Sequence, residues 1–160
     1  MRILFVSDSH GDRSGIQLAA ERLMLTAPLD AALHLGDGAA DFVSLTAWFQ
    51  RQNPNIILQG VRGNCDFSGD VPEEAELLLG GARIFMTHGH RFYVKSSLDW
   101  LDEEARNRDC TIALFGHTHQ RAMEIKRTLL LNPGSIMDGH FGLLEIDNGR
   151  PRVQLMDLGG

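Results

Sequence analysis

Short apolar runs of strand length alternate with amphipathic stretches of helix length in the first half of the chain. Near-continuous apolar runs predict buried strands at 2–7, 30–35 and 56–58. Apolar residues at helical spacing predict helices at 14–26 and 40–51. This alternation predicts a parallel sheet whose strands are joined by right-handed helical crossovers.

The second half of the chain is dominated by shorter strands. The pattern predicts a hairpin of 75–79 and 82–87 around two glycines, and a buried strand at 110–115. Ser96-Ser97-Leu98-Asp99 resembles a capping box and predicts a helix that runs to about Arg108. Further strands are predicted at 121–126, 128–131, 141–146 and 151–157, with the last two joined by an Asn148-Gly149 turn.

The length and composition fit one globular domain. The chain has 160 residues, of which 43% are hydrophobic and 22% charged, as is usual for a water-soluble protein. We therefore predict a single α/β domain over 1–160, with two packed mixed β-sheets flanked by helices.

Charge, cysteine content and hydropathy exclude several classes of partner. The net charge of −6 argues against a stable nucleic-acid partner. Cys65 and Cys110 form neither a disulfide framework nor a CxxC pair. No apolar run approaches the roughly 18–20 residues that span a bilayer, and residues 1–7 are not expected to be a signal peptide. These features predict a cytoplasmic protein without a membrane partner.

Polar blocks that are rich in histidine and aspartate stand where predicted strands end. The blocks are Asp8-Ser9-His10, Gly36-Asp37, Gly63-Asn64-Cys65-Asp66, His88-Gly89-His90 and Gly116-His117-Thr118-His119. Carboxylate and imidazole ligands suit Mn, Fe, Co, Ni or Zn better than Mg or Ca. Ligands held on the rigid ends of strands predict a metal site at the edge of a sheet.

The order of these blocks resembles the calcineurin-like metallophosphoesterase superfamily. The pattern of that superfamily runs Asp-x-His, Gly-Asp, Gly-Asn-His-(Asp/Glu), His and Gly-His-x-His. Every block matches, except that Cys65 stands in place of the histidine that follows the asparagine. The resemblance extends to Asn132-Pro133-Gly134-Ser135. Together with the small size of the chain, this run makes it similar to a branch of small prokaryotic phosphodiesterases. It implies a metallophosphoesterase-like α/β sandwich.

The resemblance also implies a ligand set, a reaction and an assembly. Two divalent ions are implied, with Mn as the leading candidate and hydrolysis of a small phosphodiester by a hydroxide that bridges the ions. A homodimer is a further expectation from the resemblance. The implied ligands are Asp8, His10 and His119 for the first ion, Asn64, His88 and His117 for the second, and Asp37 as the bridge.

Four candidates carry the catalytic roles beyond metal binding. Asn64 keeps a free amide NH₂ group while its carbonyl binds metal. Cys65 occupies the position whose family histidine is thought to protonate the leaving alkoxide, and a thiol is a less apt donor than imidazolium. His90 is a possible surrogate donor. Arg62, like Arg91, either contacts a phosphate oxygen or is a solvated side chain.

Three polar residues near the ligand blocks have other predicted roles. His34 lies within an apolar strand and is predicted to be a hydrogen-bonded structural histidine. Asp12 and Asp66 either orient ligand histidines or form turns. Substrate specificity is predicted to lie in the loops at 67–74, 90–96 and 133–140.

Two functions from different classes remain open. The branch includes the metallophosphoesterase-like subunit of the eukaryotic retromer coat, which implies a rival role as a catalytically weak scaffold for protein–protein interaction. The intact set of ligands favours the enzyme. A phosphomonoesterase would need more positive charge for its dianionic substrate, which favours a diester.

Overall fold

A computed structural model describes residues 1–67 and 69–159. Ser68, in the predicted loop 67–74, and Gly160 lie outside the described residues. Within that part of the chain two five-stranded mixed sheets pack face to face. This architecture confirms the predicted pair of mixed sheets.

The first sheet holds the β-α-β-α-β opening and the last hairpin. Its strands are β1 (Arg2–Val6), β2 (Ala31–His34), β3 (Ile57–Gly60), β9 (His140–Asp147) and β10 (Arg150–Asp157), in the order β10-β9-β1-β2-β3. As predicted, β1, β2 and β3 are parallel. The hairpin of β9 and β10 turns at Asn148 and Gly149, which both have positive φ, as a tight hairpin turn requires.

The second sheet contains the remaining strands. They are β4 (Glu74–Leu79), β5 (Ala82–Thr87), β6 (Ile112–Leu114), β7 (Ala122–Ile125) and β8 (Leu129–Asn132), in the order β4-β5-β6-β8-β7. The predicted hairpin at Gly80-Gly81 is present as β4 and β5. Strands β5, β6 and β8 are parallel, so their carboxyl ends meet at one edge of the sheet.

Helices cover the outer face of each sheet. They are α1 (Arg13–Met24), α2 (Ala39–Ser44) and α3 (Thr46–Gln52) over the first sheet and α4 (Asp99–Asn107) over the second. Short 3₁₀ turns lie at His90–Phe92 and Ile136–Asp138. Among the described residues no helix is long and apolar enough to cross a bilayer.

The core explains why several strands read as continuous apolar runs. Ile3 and Phe5 of β1 face Ile84 and Met86 of β5 between the sheets. The alternate residues of β1 pack under the helices, so both faces of the strand are buried. Gly142 lies opposite Phe5 on β9, where a Cβ atom would run into the Phe5 ring.

Two predicted helices differ from the structure in detail. The predicted helix at 40–51 is two helices, α2 and α3, because the backbone leaves helical geometry at Leu45 and the Ser44 and Thr46 hydroxyls bond main-chain carbonyls there. The predicted capping box at Ser96 is wrong. Helix α4 begins at Asp99 without a side-chain cap, and the Ser97 hydroxyl accepts the Asp99 N–H instead.

Candidate metal centre

The ligand loops converge because they follow parallel strands whose carboxyl ends lie at the same edge of the molecule. Asp8 and His10 follow β1, and Asp37 follows β2. Backbone hydrogen bonds from Asp8 N to Gly36 O and from His10 N to Asp37 O tie these two loops together. His88 and His117 follow β5 and β6 in the second sheet, and Gly116 N donates to His88 O.

Six of the seven predicted ligands form two clusters. Asp8, His10 and His119 place one ligand atom each within 4.8 Å of one another, as do Asp37, His88 and His117. Asp8 Oδ1 lies 3.2 Å from His119 Nε2 and 3.9 Å from His88 Nε2, so it borders both clusters. The resemblance likewise groups Asp8 with His10 and His119, and His88 with His117, whereas Asp37, its implied bridge, lies with His88 and His117. The ligand roles themselves stay a prediction.

Two buried atoms in these clusters make no hydrogen bond to the described residues. They are Asp8 Oδ1 and His88 Nε2, on side chains that are fully buried. A buried carboxylate oxygen and a buried imidazole nitrogen are costly to leave unpaired. Since oxygen and nitrogen donors converge around them, the residues fit divalent transition-metal ions.

Hydrogen bonds on the far side of each ligand orient these atoms. Asp8 Oδ2 accepts from the Ser7 hydroxyl at 2.5 Å and from the His117 backbone N–H at 3.1 Å. His88 Nδ1 donates to the Leu35 carbonyl at 2.7 Å, which leaves Nε2 directed at the site. Both ligands are therefore held before any ion binds.

The backbone at the ligands is held in a conformation that L-residues rarely adopt. Five of the predicted ligands have positive φ, between 44° and 69°. They are Asp8, His10, Asp37, His117 and His119. Such geometry at non-glycine residues persists where surrounding contacts impose it and concentrates at functional sites.

Opposite charges set the protonation of the second cluster. Burial favours the neutral acid of Asp37, but contacts with His88 and with the Cys65 N–H outweigh it and hold the pKa of Asp37 well below its usual range. Burial also opposes the charged form of His88, yet Asp37 and Asp8 raise the pKa of His88. The carboxylate of Asp37 is therefore the charged form that a cation requires.

The loop after β3 is fastened to Asp37 by an aspartate. The Asp66 carboxylate accepts four backbone N–H groups at 2.7–3.2 Å, from Gly63, Asp37, Gly38 and Ala39. It orients no ligand histidine; it joins the backbones of two ligand loops. Asp12 has a different role, because its side chain caps the first turn of α1.

Asn64 and Cys65 sit in this loop at the edge of the site. Both are exposed, and Asn64 Nδ2 lies 3.6 Å from Cys65 Sγ. The Cys65 N–H donates to Asp37 Oδ1 at 2.8 Å, which places the loop against the second cluster. Although the residue is exposed, slight desolvation of the thiol and the charge of Asp37 raise the pKa of Cys65, so it stays protonated.

His90 and Arg62 are the other predicted catalytic residues. The His90 ring centroid is 5.6 Å from that of His88, and its buried Nδ1 has no hydrogen-bond partner in the described chain. Arg62 and Arg91 each lie 3.0 Å from Glu73 Oε1. Both arginines thus already share a carboxylate, and a substrate role for Arg62 stays a prediction.

His34 is a structural histidine, as predicted. Its Nδ1 accepts the Gly36 N–H at 3.0 Å, and its Nε2 donates to the Ser9 hydroxyl at 2.9 Å. The Ser9 hydroxyl in turn donates to Asp41, which also accepts the Gly11 N–H. This chain of hydrogen bonds supports the loop that carries Asp8 and His10.

Complete burial lowers the pKa of His34 to about 4 from its ordinary 6.5. Between pH 6.5 and about pH 4 the imidazole is therefore protonated in the unfolded chain and neutral in the native state. The free energy of unfolding decreases as the pH falls through this range. We expect His34 to account for a loss of about 2 kcal/mol in the free energy of unfolding between pH 7 and pH 5. Urea unfolding in chelator, at both pH values, measures it.

The control compares two histidine variants. His34→Gln should lose less stability over this pH range than the wild type, whereas His140→Gln, at a half-buried site, should keep the wild-type dependence. Equal pH dependence in the wild type and His34→Gln would contradict the assignment.

Two residues that position the ligand loops were not predicted from the sequence. Asn132 donates from Nδ2 to Gly116 O and to the Thr118 hydroxyl, both at 3.0 Å. The Ser135 hydroxyl donates to the Asp8 carbonyl at 2.8 Å. Both belong to the Asn-Pro-Gly-Ser run, which contributed to the family resemblance but to which the sequence assigned no structural role. That run holds the backbone of two ligand loops.

A cavity of about 350 Å³ opens beside the ligands on the side of β2 and β3. His10, Asp37 and Cys65 line it, with Asp41 and Asp66. The fully exposed Phe67 stands at its rim. Its charged residues are acidic, apart from the ligand histidine.

Comparisons with known proteins agree with this geometry. A family model described as the calcineurin-like phosphoesterase superfamily domain matches residues 1–149. A probable metallophosphoesterase of Bacillus subtilis (strain 168) is 32% identical over 167 residues, which cover 100% of this chain and 93% of that protein. A phosphodiesterase of Methanocaldococcus jannaschii is 27% identical over 149 residues, covering 84% of this chain and 83% of that protein.

The chain is also similar to a protein that is named for vacuolar protein sorting. The vacuolar protein sorting-associated protein 29 of Schizosaccharomyces pombe is 37% identical over 138 residues, covering 84% of this chain and 72% of that protein. Among solved structures, a predicted phosphoesterase of Streptococcus pneumoniae superposes with a TM-score of 0.77 at 29% identity, covering 98% of this chain and 88% of that one.

Proposed function

Because the chain belongs to the calcineurin-like phosphoesterase superfamily, we propose that it is a dinuclear metal-dependent phosphodiesterase with hydroxide as its nucleophile. The observation that carries the proposal is the pair of ligand clusters that meet at Asp8 Oδ1 and His88 Nε2, two buried atoms without a hydrogen bond to the described residues. Family membership and the phosphodiesterase relative support the broader class of phosphoesterase.

The residues of the site would divide their work between binding and orientation. Asp8, His10 and His119 would hold one ion, and His88, His117 and Asn64 the other, with Asp37 shared between them. When bound, two divalent ions, with Mn as the leading candidate, would lower the pKa of water and stabilise charge on the phosphoryl oxygens. Ser7, Leu35 and Asp66 keep the ligands aligned through the hydrogen bonds described above, which limits reorganisation during the reaction.

The surroundings favour a diester as the substrate. A phosphomonoester dianion needs extra cationic contacts, and Arg62 and Arg91 already pair with Glu73. A phosphodiester carries one negative charge, which two cations against two ligand carboxylates can attract. We therefore propose a small phosphodiester in preference to a phosphomonoester.

Hydrolysis of bis(p-nitrophenyl) phosphate tests the proposal. Protein stripped with chelator receives Mn, Ni, Co, Zn or Mg separately, and Asp8→Asn serves as the matched variant that removes one ligand charge. We expect turnover with a transition metal and its loss in Asp8→Asn. Absence of turnover with every metal, in protein that binds two ions, would overturn the enzymatic proposal.

Because Cys65 stands at the position of the family histidine, we expect the rate of hydrolysis to depend on the acidity of the leaving group. A protonated thiol at the edge of the site is a weaker acid catalyst than imidazolium, so aryl diesters should be hydrolysed faster than alkyl diesters. We expect Cys65→His to raise kcat/KM for an alkyl diester about 10-fold relative to an aryl diester. Steady-state rates for p-nitrophenyl methyl phosphate, with methanol or p-nitrophenol release quantified, measure the ratio. An unchanged ratio would refute the idea, and Cys65→Ser is the control without an imidazole.

A scaffold role is the second candidate function. The observation that favours it is the similarity to vacuolar protein sorting-associated protein 29. In that case the two clusters would bind metal for stability while the activity stays negligible. Two bound ions without turnover in the add-back experiment would favour this function over the enzyme.

A further inference from the structure

A second and larger cavity adjoins the ligand loops on the side of the second sheet. Its volume is about 490 Å³, and it lies between the segment 94–98 and the start of β7. Thr118, which stands between the ligands His117 and His119, forms part of its wall. Asn132 holds the Thr118 hydroxyl in place at 3.0 Å.

The cavity is cationic, in contrast to the acidic cavity on the other side. Its charged lining residues are Lys95, Arg121 and Glu124. Neither Lys95 nor Arg121 forms an ion pair or side-chain hydrogen bond with any residue in 1–67 or 69–159. Arg62 and Arg91, by comparison, each form an ion pair with Glu73. Two uncompensated cations in a cavity beside a reaction centre are suited to an anion.

The cationic cavity lies close to the second ligand cluster. Thr118 in its wall directly follows His117, and Val94, also in its wall, packs against Gly89 of the loop that carries His88. The cavity therefore borders two of the ligand loops. A group joined to the reacting phosphorus can therefore enter this cavity.

We propose that the cavity lined by Lys95 and Arg121 binds a second anionic group, a carboxylate or a phosphate, on one arm of the phosphodiester substrate. The inference rests on the proposed phosphodiesterase function. Charge decides the orientation of the substrate. The anionic arm enters the cavity with Lys95 and Arg121, because Asp41 and Asp66 in the other cavity would repel it. The other arm leaves on the side of Phe67.

Two substrates that differ only in one charge test the proposal. Both are p-nitrophenyl phosphodiesters, and the second arm is 4-carboxyphenyl in one and 4-carbamoylphenyl in the other. The leaving group is identical, so the ratio of kcat/KM values reports recognition of the second arm. We expect the wild type to prefer the acid about 10-fold, and Lys95→Met/Arg121→Met to show a ratio near 1.

Two further variants control for charge. Glu124→Gln removes the carboxylate of the cavity and should raise the preference for the acid. Arg51→Gln, on α3 over the other sheet, lowers the net charge as Lys95→Met and Arg121→Met each do, and should keep the wild-type ratio. A wild-type ratio of 1 or below, or equal ratios in the wild type and the double variant, would overturn the proposal.

A binding measurement separates this proposal from the proposed function. Chelator-treated, isotope-labelled protein is titrated with inorganic pyrophosphate and followed by amide NMR shifts, without any metal to attract the anion. Shifts at 94–98 and 120–124 that vanish in the double variant support the anion site even if neither diester is hydrolysed. Absence of shifts in those two segments would refute the anion site, whatever the activity.

Discussion

Asp37→Asn is expected to weaken both metal sites at once, lowering the metal content of the protein from two ions to less than one, and to reduce kcat/KM roughly 10²–10³-fold. Two cations held close together need a shared anionic ligand to offset their repulsion. Asparagine has nearly the same shape and can still accept the Cys65 N–H at Oδ1, so the loop after β3 keeps its anchor. Elemental analysis after dialysis and rates on an aryl diester measure both effects.

The matched control removes a ligand from one cluster alone. His117→Ala takes away a half-buried histidine of the Asp37–His88–His117 group and should empty mainly that site. The two variants are then distinguished by stoichiometry: His117→Ala keeps the ion held by Asp8, His10 and His119. Equal metal content in Asp37→Asn and His117→Ala would contradict the bridging role of Asp37.

Asp66→Ala is expected to lower the free energy of unfolding by about 3 kcal/mol, or the Tm by roughly 6–12 °C. The variant leaves four backbone N–H groups of two loops without their acceptor. Each lost hydrogen bond to a charged group is a sizeable penalty where the donor is partly buried. Thermal and urea unfolding in chelator measure it without a contribution from metal.

The Asp66→Asn variant tests the cause of that loss. Its amide retains one oxygen, so it can keep one pair of N–H donors while the other pair faces an NH₂ group. We expect an intermediate stability, together with weaker metal binding, because the Asp37 N–H is among the four. A wild-type Tm for Asp66→Ala would show that the loops do not depend on this carboxylate.

The apolar pattern predicted the layers of the fold because burial on two faces leaves a direct trace in sequence. Strand β1 packs Ile3 and Phe5 on one side and Leu4 and Val6 on the other, so its run is continuously apolar. Helix limits were less predictable. The break at Leu45 depends on hydroxyl bonds to carbonyls, which compete with helix only in a particular local geometry.

The sequence was enough to predict a candidate ligand set, whose roles stay a prediction, while most of the residues that position it could not be predicted. Ligands are recognisable by type and by their place at strand ends. Asp66 and Asn132 act on backbone atoms of loops that are distant in sequence, and an acceptor for a backbone N–H has no characteristic spacing. The sequence likewise could not predict that Lys95 and Arg121 line one cavity, since they lie in separate segments of the chain.

Residue type, order and local period were enough to predict the two-sheet α/β architecture, the family of the chain and the chemical type of the candidate donors. Which backbone groups hold these donors in place depends on the folded chain, as in the hydrogen bond between His117 N and Asp8 Oδ2 across 109 positions. The same holds for which cations beside the site have no ion-pair partner among the described residues. Distances and ion pairs between segments depend on how the sheets pack, and packing is a property of the whole chain.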